Sequence, residues 1–404
     1  MKRISLSAAL TITIFVVDAF IAASASFAIP AFARRHNLSC STCHAPIPKL
    51  KPYGEEFAGD GFIIAEDEKD RDYITAGDPL LRLNKTFPLS VRFDAYAMHE
   101  SNQKVKNDLQ SPWGLKLMSG GALGQNIGYY FYFYMSERGE VAGIEDAYVH
   151  FNDVFSIPLD IMVGQFQTSD PLMKRELRLT YEDYMIYKHK TGLSHTNLAY
   201  DRGVMLAYAL EGSGSDFMLS LSNGNGKNRA DEQTGKFDID AGKNIGFRYL
   251  QGIGENLSVG GYYYRGEEVL EFASGDQSNQ VTYWGPDFNV KAGPLELTAQ
   301  YLQRRDSNPW FETAGEEIRT DGMVVELIFA PQQDRSRYYF TALYNGIEEK
   351  SAGTAGGEAS RTLYKSATLS GTYLLQRNLR LLAEYTRDLE NKQNRMTIGL
   401  ISGF

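Results

Sequence analysis

Two thiols and an imidazole stand close together in "LSCSTCH", Leu38 to His44, where Cys40, Cys43 and His44 form C-x-x-C-H. Two intervening residues give the reach for each thiol to add to one vinyl group of a haem, and the histidine that follows can ligate the iron from below. Other chemistries fit less well. A dithiol redox pair belongs in a thioredoxin-like βαβ pattern, which is absent around the motif. A structural zinc site needs a second pair of ligands, and these are the chain's only two cysteines. A disulfide suits an exported chain but leaves His44 without a part. The expectation is one covalently bound haem c, attached by Cys40 and Cys43, with His44 as its metal ligand.

The sixth ligand stays open. No His or Met lies between His44 and Met98; His36 is near in sequence, while His99, His150, His189, His195 and several Met are remote. The stretch after the motif, "PIPKLKPYGEEFAGDGF" (Pro46 to Phe62), is broken by three prolines and offers Tyr53, Phe57 and Phe62 to pack on a porphyrin. A segment ending near Thr75 is too small for an independent core, so it needs a surface to pack on.

The rest of the 404-residue chain supplies that surface. Residues 1–28 read as an export signal: Lys2 and Arg3, then an apolar stretch, then small residues, with cleavage after Ala25 or Ala28. No later run is long and apolar enough for a transmembrane helix. Glycine is abundant (38), with 25 Tyr and 22 Phe, a mixture suited to strands, turns and aromatic girdles. A net charge of -9 argues against nucleic acid as a partner.

Alternation at period two is plain in "LELTAQY", with Leu295, Leu297, Ala299 and Tyr301 on one face, and again in "NLRLLAEYT". About sixteen strands are predicted, at 88–99, 113–123, 126–137, 143–151, 158–167, 202–212, 215–223, 243–252, 256–267, 279–290, 293–304, 320–330, 336–347, 362–374, 378–387 and 394–404. Short connections alternate with long ones, the long set including Glu100 to Pro112, Thr168 to Asp201, Gly224 to Gly242, Arg305 to Arg319 and Lys350 to Arg361. Short periplasmic turns opposed to longer external loops predict an all-β fold, a 16-stranded antiparallel transmembrane barrel in the outer membrane of a Gram-negative bacterium, in contact with its lipid. The domains would be a haem segment at 29–80, plugging or capping the lumen, and a barrel at 81–404. The chain ends on an aromatic strand, "RMTIGLISGF", as barrel-assembly signals do.

Parity predicts that Asp146, Tyr148 and His150 face the lumen, with His150 near the periplasmic end and so a candidate distal ligand. In "IGYYFYFYM", Tyr130, Tyr132 and Tyr134 would face the lumen and Phe131 and Phe133 the lipid. Thr168 to Asp201 is long yet rich in apolar and aromatic residues, and is expected to fold inward and narrow the lumen.

Three features together resemble the fused monohaem cytochrome c–porin family of outer-membrane iron oxidases: the exported C-x-x-C-H segment, the pattern Pro48-x-Leu50-x-x-Tyr53-Gly54-x-x-Phe57, and "GQFQTSDPLMKRELRLTYEDY" followed by "YDRG". The resemblance covers essentially the mature chain, with Lys51 standing where related segments carry Asn. It implies haem attachment at Cys40 and Cys43, ligation by His44, and extracellular Fe(II) as donor to a periplasmic c-type cytochrome. Two alternatives accompany it: electron exchange with other external donors or acceptors, and a solute porin with a haem-bearing plug.

Overall fold

The computed structural model describes residues 31–64, 68, 72–168, 173–210, 212–238, 240–272, 275–352 and 358–404; the export signal at 1–28 lies outside them. Three short helices lead the described chain, α1 (Ala31–His36), α2 (Cys40–Cys43) and α3 (Pro52–Gly59), followed by a two-stranded pair, β1 (Tyr73–Ile74) and β2 (Leu83–Asn84). The next sixteen strands are β3 (Leu89–Glu100), β4 (Asn107–Ala122), β5 (Ile127–Glu137), β6 (Gly143–Phe151), β7 (Leu159–Phe166), β8 (Asp201–Leu210), β9 (Ser215–Ser222), β10 (Asn244–Ile253), β11 (Leu257–Leu270), β12 (Gln277–Ala292), β13 (Leu295–Asp306), β14 (Ile318–Phe329), β15 (Tyr338–Ala352), β16 (Glu358–Gln376), β17 (Leu379–Asp388) and β18 (Asn394–Gly403).

Every neighbouring pair is antiparallel, and β18 pairs with β3 to close the barrel. Closure leaves no strand edge unpaired, which backbone in a hydrocarbon environment requires. The last residue takes part: Phe404 and Val91 exchange N–H···O bonds of 2.8 and 2.6 Å. Alternation then sorts the side chains. Leu219, Trp284, Phe288, Leu327, Phe340, Leu369 and Ile398 are exposed on the outer wall, whereas Asp94, Lys116, Arg248, Asp287, Arg304, Glu326 and Glu384 are buried inside. An apolar exterior around a polar lumen is the arrangement of a barrel standing in an outer membrane. Among the described residues no helix is long and apolar enough to cross a membrane, a fact with no bearing on strands.

The tight turns, such as 123–126, 254–256 and 377–378, lie at the end that carries the start of β3 and the chain terminus, so that end is periplasmic. Sequence-based boundaries miss at the opposite rim. β4 begins at Asn107 rather than near 113, because Pro112 falls in a break of register between the pairs Asp94↔Gly114 and Tyr96↔Gln110, where no N–H has to be donated. β15 and β16 overrun the expected loop at Lys350 to Arg361 and form one long hairpin. Simple parity also fails once in β6: a bulge opposite Phe131 and Phe133 turns Glu145 inward, where it pairs with Lys227.

Candidate functional site

The C-x-x-C-H motif is a single helical turn. Ser39 caps it, accepting the Ser41 N–H at 3.3 Å, and the His44 N–H closes it on the Cys40 carbonyl at 2.9 Å. Positions i and i+3 share a face, so Cys40 and Cys43 point the same way, both as free thiols. Beyond the turn, Ala45 to Lys49 folds back, and His44 Nδ1 lies 3.0 Å from the Pro48 carbonyl and 3.3 Å from that of Lys49. A carbonyl can only accept, so Nδ1 carries the hydrogen and Nε2 keeps its lone pair for a metal. Burial lowers the His44 pKa, which keeps the imidazole in its neutral, ligating form. Burial also raises the thiol pKa values of Cys40 and Cys43.

Helix α3 rests directly on this turn. Pro52 opens it, a position where a missing N–H costs nothing. Gly54 makes the close approach possible, since a Cβ there would fall 2.4 Å from the Cys43 carbonyl oxygen. Phe57 packs edge-on against Phe32 and Phe62, and Phe32 stacks on Phe62 at 4.9 Å. Tyr53 is exposed.

The segment is fastened inside the periplasmic mouth. Phe62 stacks on Tyr130 of β5 at 4.8 Å, and the backbone at Gly61 touches Gly128 so closely that a Cβ on Gly128 would sit 2.1 Å from its oxygen. Lys49 pairs with Glu296 at 2.9 Å and Lys51 with Asp334 at 2.7 Å. Lys51 thus ties α3 to a periplasmic turn of the barrel. Tyr130 is the lumen tyrosine that meets the N-terminal segment; Tyr132 bonds Tyr200 at 2.9 Å, and Tyr134 lies 3.2 Å from Glu176.

Residues 173–200 cross the lumen. Two 3₁₀ turns, Arg175–Leu177 and Met185–Tyr187, order the loop, but its fixings are side chains on distant strands. Glu176 pairs with Lys116, and the Arg92 guanidinium donates to its carbonyl at 3.1 Å. On β17, Glu384 accepts the N–H groups of Tyr181 and Glu182 at 2.7 and 3.0 Å and Arg380 donates to the Leu179 carbonyl at 2.9 Å, while Tyr184 donates to Glu326 of β14 at 2.8 Å. Arg304 holds the far end through the Thr196 carbonyl at 2.7 Å. Within the loop, Arg175, Arg178 and Lys188 surround Asp183 and hold its carboxyl well below the usual range.

The loop has a cavity on either side. The periplasmic one, of 570 Å³, is bounded by Lys49, Leu50 and Glu55 of the haem segment and by Leu177 and Leu179 of the loop. On its wall lie His150 and the thioethers of Met162, Met205 and Met218, with Met173 from the loop. His150 is 4 % exposed, neither ring nitrogen has a hydrogen-bond partner, and Nε2 is 3.8 Å from Asp160. Of the remote methionines, Met162 and Met205 are direct cross-strand partners on the lumen face, a pairing the sequence pattern leaves unassigned. The other remote histidines are engaged elsewhere: His99 bonds Asn107 at 2.7 Å at the external rim, His195 lies 2.5 Å from Glu268, and His189 is near Thr191 at 3.5 Å. The external vestibule, of 840 Å³, is lined by Trp113, Arg138, Tyr181, Glu182 and Arg395 among others. Among the described residues no group of three or more His, Cys, Asp or Glu is arranged to hold a metal ion, so no ferrous-ion site is assigned.

Two thiols on one face and a neutral imidazole whose Nδ1 is committed to backbone carbonyls form a donor set that fits covalently attached haem.

No protein-family model matches this chain, and no curated protein matches it. Solved structures do. A loop L8 deletion mutant of OmpT, an outer membrane protein of Vibrio cholerae, is similar at TM-score 0.55 and 11 % identity, covering 79 % of this chain and 99 % of that one. The anion-selective porin from Comamonas acidovorans gives 0.54 and 11 %, with 79 % and 99 % covered. The outer membrane channel DcaP of Acinetobacter baumannii gives 0.53 and 15 %, with 78 % and 96 % covered. At such identities the likeness shows the fold: this chain is a porin-type barrel of the outer membrane.

Proposed function

We propose that this chain is a haem-bearing outer-membrane barrel that takes single electrons from extracellular Fe(II) and passes them to a periplasmic c-type cytochrome. The observation that carries the reading is the C-x-x-C-H turn, with His44 Nδ1 already committed to backbone carbonyls and Nε2 free, seated in the periplasmic mouth of a barrel whose lumen is crossed by a tethered loop. Fe(II) as the donor rests on the family resemblance of the sequence.

When bound, the haem supplies a one-electron couple; Fe(II) outside becomes Fe(III), and no substrate bond or proton has to move. The chain's own residues fix position and environment. Cys40 and Cys43 anchor the group, Pro48 and Lys49 orient His44, and Phe62 with Tyr130 holds the segment against the wall. The loop bounds the cavity toward the outside, keeping ferric product away from the periplasm.

A second reading is favoured by the solved neighbours, which are porins and a channel. In it the barrel conducts solutes and the haem segment is a plug. The deciding experiment mixes purified, haem-loaded protein anaerobically with Fe(II) in a stopped-flow spectrometer. Saturable appearance of the reduced haem bands is expected; a haem that stays oxidised, together with large bilayer conductance, would establish the porin reading instead.

A further inference from the structure

The outer wall carries a groove of 420 Å³ on the lipid side of β14 to β17. Its floor and walls come from two adjacent rows of the sheet. One row is Val325, Tyr344, Ala367 and Arg387, each the direct cross-strand partner of the next; the other is Leu327, Ala342, Leu369 and Tyr385. The two alanines leave the depression, and the longer side chains around them form its sides. Apart from Arg387 the lining is almost wholly apolar, as a membrane-facing surface must be.

The external end of the groove is charged. Arg387 stands one residue before the end of β17, with its guanidinium 2.6 Å from the Asn394 side-chain oxygen, and the same oxygen accepts the Tyr385 hydroxyl at 2.8 Å. Lys365 points outward beside it, being the cross-strand partner of Gly346 and two residues from Ala367. Neither cation has a carboxylate partner among the described residues. Arg319 and Lys350, outward near the same rim, by contrast both pair with Asp321 at 3.0 Å. Two positive charges without a carboxylate partner thus stand at the headgroup end of an apolar trough. The arrangement matches a molecule with an apolar chain and an anionic head. Because this rim is the external one, the leaflet beside it is the outer leaflet.

We infer that this groove is a specific binding site for lipid A, the phosphorylated glycolipid of the outer leaflet, with one acyl chain lying over Ala342 and Ala367 and a phosphate held by Lys365 and Arg387. Each cation near a membrane surface strengthens anionic-lipid binding several-fold, so the pair gives about tenfold or more.

Native mass spectrometry of the detergent-purified full chain, titrated with lipid A and separately with phosphatidylglycerol, tests the assignment. The wild type is expected to retain lipid A in preference to phosphatidylglycerol. Retention should fall by about tenfold in K365Q/R387Q and fall as far in A342F/A367F, which fills the trough without touching the charges. Heat-dependent gel mobility checks that each variant still forms the barrel. Equal retention of both lipids by the wild type would overturn the site. So would loss in the charge variant alone, which would mean nonspecific surface attraction. Assembly of copies that A342F/A367F abolishes, with lipid A binding unchanged, would assign the groove to a second copy of the chain and overturn the inference as well.

Discussion

At the scale of single residues, hydrogen bonds and burial decide the chemistry of the haem segment. His44 is prepared by its backbone neighbours, because two carbonyls fix which ring nitrogen carries the hydrogen. Asp60, just after α3, has the opposite kind of environment. Partial burial, then the nearby carboxylates of Glu56, Asp160 and Asp153, raise its pKa to about 6, with His150 opposing. A folded pKa above the unfolded value means that the docked state binds more protons between pH 3.8 and about 6. Docking of the Asp60 to Ile63 stretch is therefore firmest in acid and weakens as pH rises through about 6, where the ionised carboxylates repel. Asp60→Asn should remove that slope and increase amide protection at Gly61 to Ile63 roughly threefold at pH 7, since a half-exposed group is partly screened. Hydrogen exchange corrected for intrinsic rates measures it; equal protection in variant and wild type at pH 7 would refute the account.

The same scale shows what a sequence exposes. C-x-x-C-H is local, so Cys40, Cys43 and His44 could be read as a set, and the single turn places them as one. The orphaned nitrogens of His150 and the methionines on its cavity could not be read in that way, because their neighbours lie one to two strands away.

Among elements, α3 and the barrel wall depend on two close backbone approaches. A side chain at Gly54 would collide with the Cys43 carbonyl, whereas Gly59, in the same helix, has no neighbour within 4 Å of its would-be Cβ. Gly54→Ala should lift α3 from the haem turn and reduce covalently attached haem by roughly tenfold, as overpacking by one methyl group against backbone costs on the order of 1–3 kcal/mol. Gly59→Ala, with a better helix former and open space, should leave haem yield unchanged. Haem staining of denaturing gels, with barrel folding checked by mobility, reads both. Equal yields in the two variants would show that the contact does not matter. For elements, the alternation placed all sixteen strands, with errors confined to ends and bulges such as those at Pro112 and Glu145. Those errors arise because a bulge changes parity without changing composition.

For the whole molecule, the question is whether the lumen is a channel. The loop at 173–200 is bound to several strands of the wall, by Arg92 and Lys116 on β3 and β4, by Glu384 and Arg380 on β17, by Glu326 on β14 and by Arg304 on β13. Glu384→Ala leaves two buried N–H groups without an acceptor, at a cost of about 1–3 kcal/mol each. The loop should then detach on that side. Wild-type protein in planar bilayers is expected to conduct poorly and Glu384→Ala several-fold better; a wild type that is already open, with no change in the variant, would contradict a closed lumen.

By itself the sequence determined two things: a C-x-x-C-H turn, because its residues lie within five positions, and an antiparallel barrel, because period-two strands are joined by connections that alternate between short and long. An inward fold of the long third connection was also expected from its length and aromatic content. Only the tertiary structure decided what that loop binds, which wall the haem segment leans on and which groups share its cavity. Contacts such as Tyr181 with Glu384 or Lys49 with Glu296 join residues some two hundred positions apart. They follow from the circumference and stagger of the closed sheet, quantities to which all sixteen strands contribute and which no local pattern contains.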